Sequence, residues 1–367
     1  MIRPVDQKTV AVYEQRAREY RTRRPPRHPE WAAELAAGTL EGAPRVDLGC
    51  GPGSYTGMLG EPVVALDAAR AMLDLVPGTA SGALRVQADL EALPFRTAGL
   101  GGAFARASYL HVPRPRLPLA LTGLHRSLRL GAPFHGSVRA GTGDGLLADD
   151  DFPGRFFAEW ELDAFADVLV GAGFTVDELT RDGDEWLRFR ATRARTLPDT
   201  VGPGMRLLVS GLNPSVYAAD AGIGFARPGN RYWPAAMAAG LVTRPRDTVH
   251  ALVEHGIGMT DIVKRATPRA DALSADEYRT GLARVQRLAA WLQPGAVCFV
   301  GLAGYRAAVD KRAIAGWQAA PLGRVPVYVM PSTSGLNAHA QLPVLVQHLR
   351  AAMSGPGAAA RGETAEE

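Results

Sequence analysis

Two short polar segments in the second half of the chain carry side chains that could do chemistry. They are SGLNPS (residues 210–215) and VMPSTSGLN (residues 329–337), and each closes an apolar run that predicts a buried strand. The first offers the neutral amide of Asn213, which can hold a water. The second offers hydroxyls, backbone N–H groups and the apolar Leu336. Because strand ends meet at one edge of a sheet, we expect these groups to lie side by side.

A glycine-rich segment near the N-terminus points to different chemistry. VDLGCGPGSY (residues 46–55) predicts a strand that ends in Asp47, a turn through Gly49, Gly51 and Gly53, and then a helix, which is the general form of a nucleotide-binding turn. The charge of Asp47 would repel a pyrophosphate but would complement a cationic sulfonium. The last two glycines are also closer together than in the dinucleotide fingerprint. The turn therefore favours S-adenosylmethionine over a nicotinamide cofactor.

Further positions extend this predicted cofactor site. Asp67 ends the second predicted strand, where a carboxylate can accept both ribose hydroxyls, and Asp89 and Leu90 follow the third strand, where adenine would lie. The pattern resembles the class I S-adenosylmethionine-dependent methyltransferases over nearly the whole first domain. YEQRAREY, LHRSLRLGAPF and a terminal hairpin also fit that family. The resemblance implies a Rossmann-like fold. The methyl acceptor stays open, and His111 is either a base for it or an incidental loop histidine.

The elements that must position these groups form two α/β units. Up to about residue 190, apolar runs alternate with helical stretches, which is typical of a parallel sheet. The predicted elements of the first unit are strands at Arg45–Leu48, Val63–Asp67, Leu84–Ala88, Gly102–Ala107 and Pro133–Val138, a helix at Trp160–Ala172 and a hairpin of Thr175–Thr180 and Trp186–Thr192. Those of the second unit are strands at Arg206–Ser210, Ala296–Val300 and Val325–Met330 and a helix at Ser274–Leu292, which has capping-box spacing.

Composition places the domain boundaries. Residues 193–204 lack periodicity and contain two prolines and two glycines, so we expect a linker between domains at 1–192 and 205–353. The tail at 354–367 is rich in glycine, alanine and charged residues, and we expect it to be disordered.

Four segments of the second unit resemble the mismatch-specific uracil/thymine-DNA glycosylases of the uracil-DNA glycosylase superfamily. They are GLNPSVYAADAGIGFARPGNRYW, GMTDIVKRAT, VCFVGLAGYRA and MPSTSGLN, in this order over roughly residues 205–350. The resemblance implies a three-layer α/β fold and a double-stranded DNA partner with a mismatched pyrimidine. It also implies glycosylase chemistry that needs no cofactor.

The resemblance assigns roles in the base pocket to individual residues. Asn213 would position the attacking water, and Phe225 would stack on the extruded pyrimidine in a pocket that also holds Ser215 and Ala218. The small side chain of Ala218 could admit the methyl group of thymine. The residues alone also allow a turn role for Asn213 and a core role for Phe225.

Asp261 would face the same pocket, in a position where the residue type varies within the family. Its carboxylate could orient or partly deprotonate the water, or stabilise a cationic sugar. It could equally cap a helix that begins near Ile262, because aspartate is a preferred N-cap residue.

The resemblance assigns contacts with DNA to the second polar segment. Leu336, flanked by Gly335 and Asn337, would be the wedge that fills the space vacated by the flipped nucleotide. The alternative is a core position in a following helix. Three hydroxyl residues would bind backbone phosphates without reading sequence, namely Ser332, Thr333 and Ser334.

The overall composition limits the alternatives. The formal net charge of +4 permits a polyanionic partner without requiring one. Cys50 and Cys298 are the only cysteines, which are too few for an iron–sulfur cluster or a four-cysteine zinc site, and we expect no metal site. No signal region or bilayer-spanning stretch is evident, so we expect a cytoplasmic protein that is associated with the nucleoid when it acts on DNA.

The sequence thus predicts a methyltransferase-like domain fused to a mismatch-specific DNA glycosylase that starts base-excision repair. The main alternative is a methyltransferase for a small molecule or nucleic acid, whose second domain only targets DNA. A third hypothesis is a repair glycosylase whose first domain binds cofactor without turnover.

Overall fold

The computed structural model of the 367-residue chain describes residues 6–77, 82–269, 272–335, 337–338 and 340–356. The chain divides between Ala194 and Arg195 into two compact units, each with its own sheet. Residues 195–204, for which the sequence predicts a linker, lie within the second unit, where Thr200 exchanges two backbone hydrogen bonds of 2.9 Å with Met259. Within the described ranges, every helix falls short of the length or hydropathy that a membrane span needs.

The first unit is a mixed α/β structure. Its strands are β1 (Arg45–Leu48), β2 (Val63–Asp67), β3 (Leu84–Gln87), β4 (Gly102–Arg106), β5 (Pro133–Ala140), β6 (Asp144–Leu146), β7 (Phe156–Trp160), β8 (Phe174–Asp182) and β9 (Trp186–Arg193). Its helices are α1 (Gln7–Arg23), α2 (Glu30–Gly38), α3 (Arg70–Leu73), α4 (Leu117–Ser127) and α5 (Leu162–Gly171), with short 3₁₀ turns at Thr56–Leu59, Tyr109–His111 and Arg114–Arg116.

The sheet of the first unit places several strand ends together. The strands β3, β2, β1, β4 and β5 are parallel neighbours in that order, and the antiparallel hairpin of β8 and β9 pairs with β5 through β9. The predicted parallel sheet and terminal hairpin are confirmed. The predicted helix after β5 begins at Leu162, two residues later than expected, because Trp160 closes β7.

The second unit is a smaller α/β structure. Its strands are β10 (Leu207–Gly211), β11 (Ile257–Asp261), β12 (Val297–Val300), β13 (Gly316–Trp317) and β14 (Val327–Met330). Its helices are α6 (Val216–Ala221), α7 (Tyr232–Ala238), α8 (Thr248–His255), α9 (Ala275–Leu292), α10 (Leu302–Ala308) and α11 (Leu342–Ser354).

Helices cover both faces of the second sheet. The strand order is β11, β10, β12, β14 and β13, and only β13 runs antiparallel to its neighbour. The helices α7 and α11 share one core with β10 and β14, whereas Tyr305 of α10 packs on Phe299 from the other face, with ring centroids 5.1 Å apart. The three-layer α/β prediction is confirmed. So is the capping box of α9, which joins Ser274 and Glu277.

The strand β11 is absent from the sequence-based assignment, and it changes the interpretation of Asp261. This residue ends β11 beside Gly211 of β10, and bends rather than a helix follow it. The helix expected near Ile262 therefore does not form, and the N-cap alternative for Asp261 is wrong.

Candidate functional site

A cavity of about 720 Å³ opens at the carboxyl ends of β1, β2 and β4 in the first unit. Five residues of the predicted cofactor set line it, namely Asp47, Gly49, Gly51, Asp67 and Leu90. The other two, Gly53 and Asp89, lie outside the lining. An added Cβ on Gly53 would be 3.0 Å from Val76 Cγ1, and Asp89 Oδ1 accepts a hydrogen bond of 2.8 Å from the Glu91 N–H.

The glycine turn needs glycine for conformation and for space. The φ angles of Gly49, Gly51 and Gly53 are +63°, +54° and +79°, in the region that favours glycine. A Cβ on Gly49 would be 2.4 Å from Cβ of Ser108, which follows β4. The turn can therefore bring its backbone close to a ligand in the cavity.

Two carboxyl groups lie beside the glycine turn in this cavity, whose lining also includes six arginines. Thr56 donates its hydroxyl to Asp47 Oδ2 over 2.6 Å, and burial raises the pKa of Asp47 to about 7. Gly51 and Ala69 each donate an N–H to Asp67 over 2.8 Å, and burial raises the pKa of Asp67 to about 6 despite these bonds. A nearby cation would favour the ionised form of both acids.

The lining fits a cationic ligand that carries hydroxyl groups. Ser108 Oγ lines the cavity, is buried and has no hydrogen-bond partner within the described part of the chain. A buried polar atom of this kind indicates that a ligand group completes the site. The acidic side chains of Asp47 and Asp67 would accept hydroxyls or face a sulfonium, but would repel a pyrophosphate. The residues present therefore fit S-adenosylmethionine.

His111 lies in this cavity but does not present a free lone pair. Its Nδ1 must donate to the carbonyl of Phe156 (2.6 Å), so in the neutral ring Nε2 accepts from the Tyr13 hydroxyl (2.8 Å). Arg155 donates to the same Tyr13 oxygen over 3.0 Å. Burial lowers the pKa of His111 to about 4, so the ring is neutral at pH 7. A proton from an acceptor would have to reach His111 through Tyr13.

In the second unit, the loops that follow β10 and β11 run side by side. The N–H groups of Ile262, Val263 and Thr267 donate to the carbonyls of Gly211, Leu212 and Pro214 over 2.9–3.1 Å. This backbone pairing extends the contact of the two strands beyond the edge of the sheet. It brings the segments that carry Asn213 and Asp261 together.

The side-chain amide of Asn213 is held in one orientation. The two hydrogens of its Nδ2 lie among three acceptors: the hydroxyl of Thr267 (2.7 Å), the carbonyl of Arg265 (3.0 Å) and, more distant, the carbonyl of Pro214 (3.2 Å). The Thr267 hydroxyl donates in turn to the carbonyl of Arg269 (2.8 Å), so it can only accept from Asn213. The carbonyl Oδ1 of Asn213 has no hydrogen-bond donor among the described residues and remains an acceptor for a ligand or a water.

The Asp261 carboxyl lies against Gly211. An added Cβ on Gly211 would be 2.3 Å from Asp261 Oδ1 and 3.9 Å from Phe225 Cζ, so a side chain at this position would displace the carboxyl. Burial raises the pKa of Asp261 to about 6. The cations of Lys264 and Arg284 act to lower this pKa, and the anion of Asp199 acts to raise it. An acid with this pKa can exist in either protonation state near neutral pH.

A buried ionic cluster lies behind Asp261. Asp199 binds Lys264 Nζ (2.8 Å), Arg284 Nη1 (2.6 Å) and the hydroxyl of Thr260 (2.7 Å). Arg284 also donates to the backbone carbonyl of Asp261 over 2.9 Å. The cluster thus ties the end of β11 to α9 and to the residues before β10.

The predicted base-pocket residues lie at two positions, one against Tyr232 of α7 and the other at the start of α6. Phe225 adopts φ +57° and stacks on Tyr232, with ring centroids 4.3 Å apart and an angle of 23° between planes. Ser215 caps α6 by accepting the Ala218 N–H (3.1 Å), and Ala218 is buried.

Arg231 holds the loop that follows β14. Its Nη2 donates to the carbonyls of Ser334 (2.8 Å) and Asn337 (2.6 Å), and its N–H donates to the carbonyl of Thr333 (2.9 Å). Thr333 is buried, whereas Ser332 and Ser334 keep partial exposure. An added Cβ on Gly335 would be 2.8 Å from the Gly229 carbonyl. The predicted wedge, Leu336, lies outside the described residues.

Comparison with protein families agrees with this division of the chain. Residues 198–352 match the uracil DNA glycosylase superfamily, and residues 46–134 match a methyltransferase domain. The chain joins a methyltransferase domain to a uracil DNA glycosylase superfamily domain.

Solved methyltransferases are similar to part of the chain. An S-adenosylmethionine-dependent methyltransferase from Mesorhizobium loti is 20% identical, with 45% of this chain and 98% of that one covered and a TM-score of 0.37. The 1,6-didemethyltoxoflavin-N1-methyltransferase of Burkholderia thailandensis, solved with 1,6-didemethyltoxoflavin and S-adenosylhomocysteine, is 21% identical, with coverages of 53% and 92% and a TM-score of 0.43.

Several residues of the glycosylase-superfamily domain are missed by the sequence-based prediction. Thr267 and Arg231 lie in the motifs GMTDIVKRAT and GNRYW, but their partners are distant in sequence and visible only in the fold. Asp199 falls in the predicted linker, so its ionic role has no sequence signal.

Proposed function

We propose that the glycosylase-superfamily domain hydrolyses the N-glycosidic bond of uracil mispaired with guanine in duplex DNA, which starts base-excision repair. Thymine opposite guanine is a second candidate substrate, because the small side chain of Ala218 could leave room for its methyl group. The observation that carries the proposal is the fixed amide of Asn213, whose Oδ1 remains available to a water.

The chemistry follows from the residues at this edge of the sheet. A target nucleotide must leave the duplex before its glycosidic bond can be reached. Phe225, backed by Tyr232, offers a ring face for the extruded pyrimidine. Because the amide of Asn213 is no strong base, bond breaking leads: the C1′–N1 bond breaks and its electron pair leaves with the base.

The ionised carboxylate of Asp261 stabilises the cationic sugar electrostatically. The water held by Asn213 adds to C1′ before the leaving base can recombine with the sugar cation, and its proton passes to Asp261. This order of events favours bases that leave readily from weak pairs, such as uracil opposite guanine.

A panel of matched duplexes tests the proposal. The full-length protein should release uracil from a G·U duplex faster than from an A·U duplex or from the single strand, and thymine release from G·T decides the second substrate. Absence of release from every duplex would contradict the assignment. It would favour a domain that only targets DNA.

We further propose that the methyltransferase domain binds S-adenosylmethionine and methylates an acceptor. When bound, this cofactor supplies a methyl group activated on a sulfonium sulfur. Asp67 and Leu90 would hold the adenosine, Asp47 would face the positive charge, and Gly49 and Gly51 would let the backbone approach. The hydroxyl of Tyr13 lies in the same cavity and is held there by hydrogen bonds with His111 and Arg155.

Calorimetric titration with S-adenosylmethionine tests this part. Asp67→Ala should weaken binding at least tenfold, since hydrogen bonds to a charged acceptor contribute about 1.5–3 kcal/mol each. Asp74→Ala is the control, because Asp74 is exposed and pairs with Arg70 at the end of α3. Wild-type protein that takes up no cofactor would contradict the proposal.

A further inference from the structure

The segment between α10 and β13, which we call the 309–315 loop, exposes an unusual set of side chains. Ile314 is 70% exposed and Val309 is 42% exposed. Lys311 and Arg312 between them are also exposed. A single exposed aliphatic residue is ordinary on a protein surface, so its setting decides whether it matters.

The backbone of this loop is fixed. Arg306 Nε donates to the carbonyl of Ala313 (2.8 Å), and Gln318 Nε2 donates to that of Ile314 (2.9 Å). Ala313 itself is buried, and its N–H donates to the carbonyl of Asp310 (3.1 Å). The side chain of Ile314 is therefore held outward by a braced turn.

Strand register places the 309–315 loop at the functional edge of the second sheet. Because β13 is antiparallel to β14, with Gly316 opposite Val329, β13 begins at the edge where β14 ends. The loop thus lies beside the Pro331–Gly335 segment. β13 is three strand spacings from β10, so the loop is roughly 15 Å along the edge from the strand that carries Asn213.

The two cations of the loop are not neutralised by the protein. Within the described residues, neither Lys311 nor Arg312 has a hydrogen bond or ion pair from its side chain. The nearby acid, Asp310, accepts the backbone N–H of Arg312 over 2.9 Å. A pair of unpaired cations next to an aliphatic side chain suits phosphates and the sugar face of a nucleic acid.

We propose that the 309–315 loop is a second contact with duplex DNA, separate from the segment that follows β14. Lys311 and Arg312 bind phosphates and Ile314 packs on a deoxyribose. Successive nucleotides of one strand advance about 3.4 Å along the helix axis, so roughly 15 Å along that axis corresponds to about four nucleotides from the flipped one. This inference rests on the proposed glycosylase function, which supplies the duplex.

The test compares two double variants of the full-length protein. Lys311→Ala/Arg312→Ala removes the cations of the loop. Arg206→Ala/Arg324→Ala removes two exposed cations that precede β10 and β14, at the opposite edge of the same sheet. The ligand is a duplex with a tetrahydrofuran abasic analogue opposite guanine, which cannot be cleaved. Its dissociation constant is measured by fluorescence anisotropy from 50 to 200 mM salt, and thermal melting checks folding.

Each phosphate contact contributes about 0.9 to the slope of log K against log salt. The loop variant should therefore lower the slope by nearly 2, and the control variant should leave it unchanged. Ile314→Ser should weaken binding several-fold without changing the slope. An unchanged slope in the loop variant, or an equal decrease of the slope in both double variants, would overturn the proposal.

The outcomes separate the loop from the glycosylase assignment. If wild-type protein binds the duplex and the loop variant has the same salt slope, only the proposed loop contact is refuted. Wild-type protein that binds no duplex at any salt concentration refutes both proposals.

Discussion

At the scale of single residues, the direction of the hydrogen bonds around Asn213 determines how its amide is oriented. The Thr267 hydroxyl donates to the Arg269 carbonyl, so it must accept from Asn213 Nδ2. Together with the Arg265 and Pro214 carbonyls, this directs the amide oxygen away from the loop. The sequence predicts Asn213 as the residue that holds the water, and its orientation comes from a partner 54 residues later.

Thr267→Val should slow base release. The change removes the nearest acceptor of Asn213 Nδ2, so only the carbonyls of Arg265 and Pro214 still hold the amide. A neutral hydrogen bond contributes about 0.5–1.5 kcal/mol, so we expect the single-turnover rate to fall by up to about tenfold. Thr267→Ser keeps the hydroxyl and should keep most of the rate. Equal rates for the Val and Ser variants would show that Thr267 does not orient the amide.

The pH dependence of base release should report on Asp261. Its pKa is raised to about 6 by burial, and the proposed mechanism needs the ionised form. The rate should rise between pH 5 and pH 7 with a midpoint near 6. Asp261→Asn should be slower and should lose this rise. Asp276→Asn, which changes an exposed acid on α9, is the control. A rise retained in Asp261→Asn would assign it to another group.

At the scale of elements, a buried ionic cluster joins β11 and α9. The pKa of Asp199 lies below its ordinary value because the charges of Arg284 and Lys264 outweigh the effect of burial. A carboxyl with a depressed pKa in the folded state contributes stability above its unfolded pKa and loses it as the pH falls. Acid should therefore loosen the end of β11, where Asp261 lies.

Asp199→Asn should strongly destabilise the glycosylase-superfamily domain. It leaves Lys264 and Arg284 buried without an anion, which costs about 3–5 kcal/mol when one partner of a buried ion pair is removed. In calorimetric unfolding of the full-length protein, the transition of the glycosylase-superfamily domain should shift to lower temperature. Adding Lys264→Met and Arg284→Met should recover part of the loss. No shift in the single variant would mean that the cluster is not stabilising.

Sequence patterns predict elements with regular apolar spacing and miss those fixed by tertiary contacts. β1 and β2 are found at their predicted bounds because each is an apolar run beside a turn. β11 is missed because Gly258, Thr260 and Asp261 break the apolar pattern. Gly258 also lies against the side chain of Met205: an added Cβ would be 2.2 Å from Met205 Sδ. Such close approaches have no local sequence signal.

At the scale of the whole molecule, the two candidate sites lie in separate units. Every described residue that lines the 720 Å³ cavity comes from the first unit, and every contact that fixes Asn213 comes from the second unit. A variant in one site can therefore be tested against the function of the other. That separation supplies an internal control for the central claim.

The most direct test of the central claim is single-turnover release of uracil from a G·U duplex by wild-type protein and by Asn213→Ala. Removing the amide that holds the water should slow release by at least a hundredfold, or about 2.7 kcal/mol in the barrier. Thermal unfolding should be the same for both proteins, which verifies that the variant is folded, and the affinity for S-adenosylmethionine should be unchanged because that cavity lies in the other unit. Uracil release at the wild-type rate by Asn213→Ala would contradict the account.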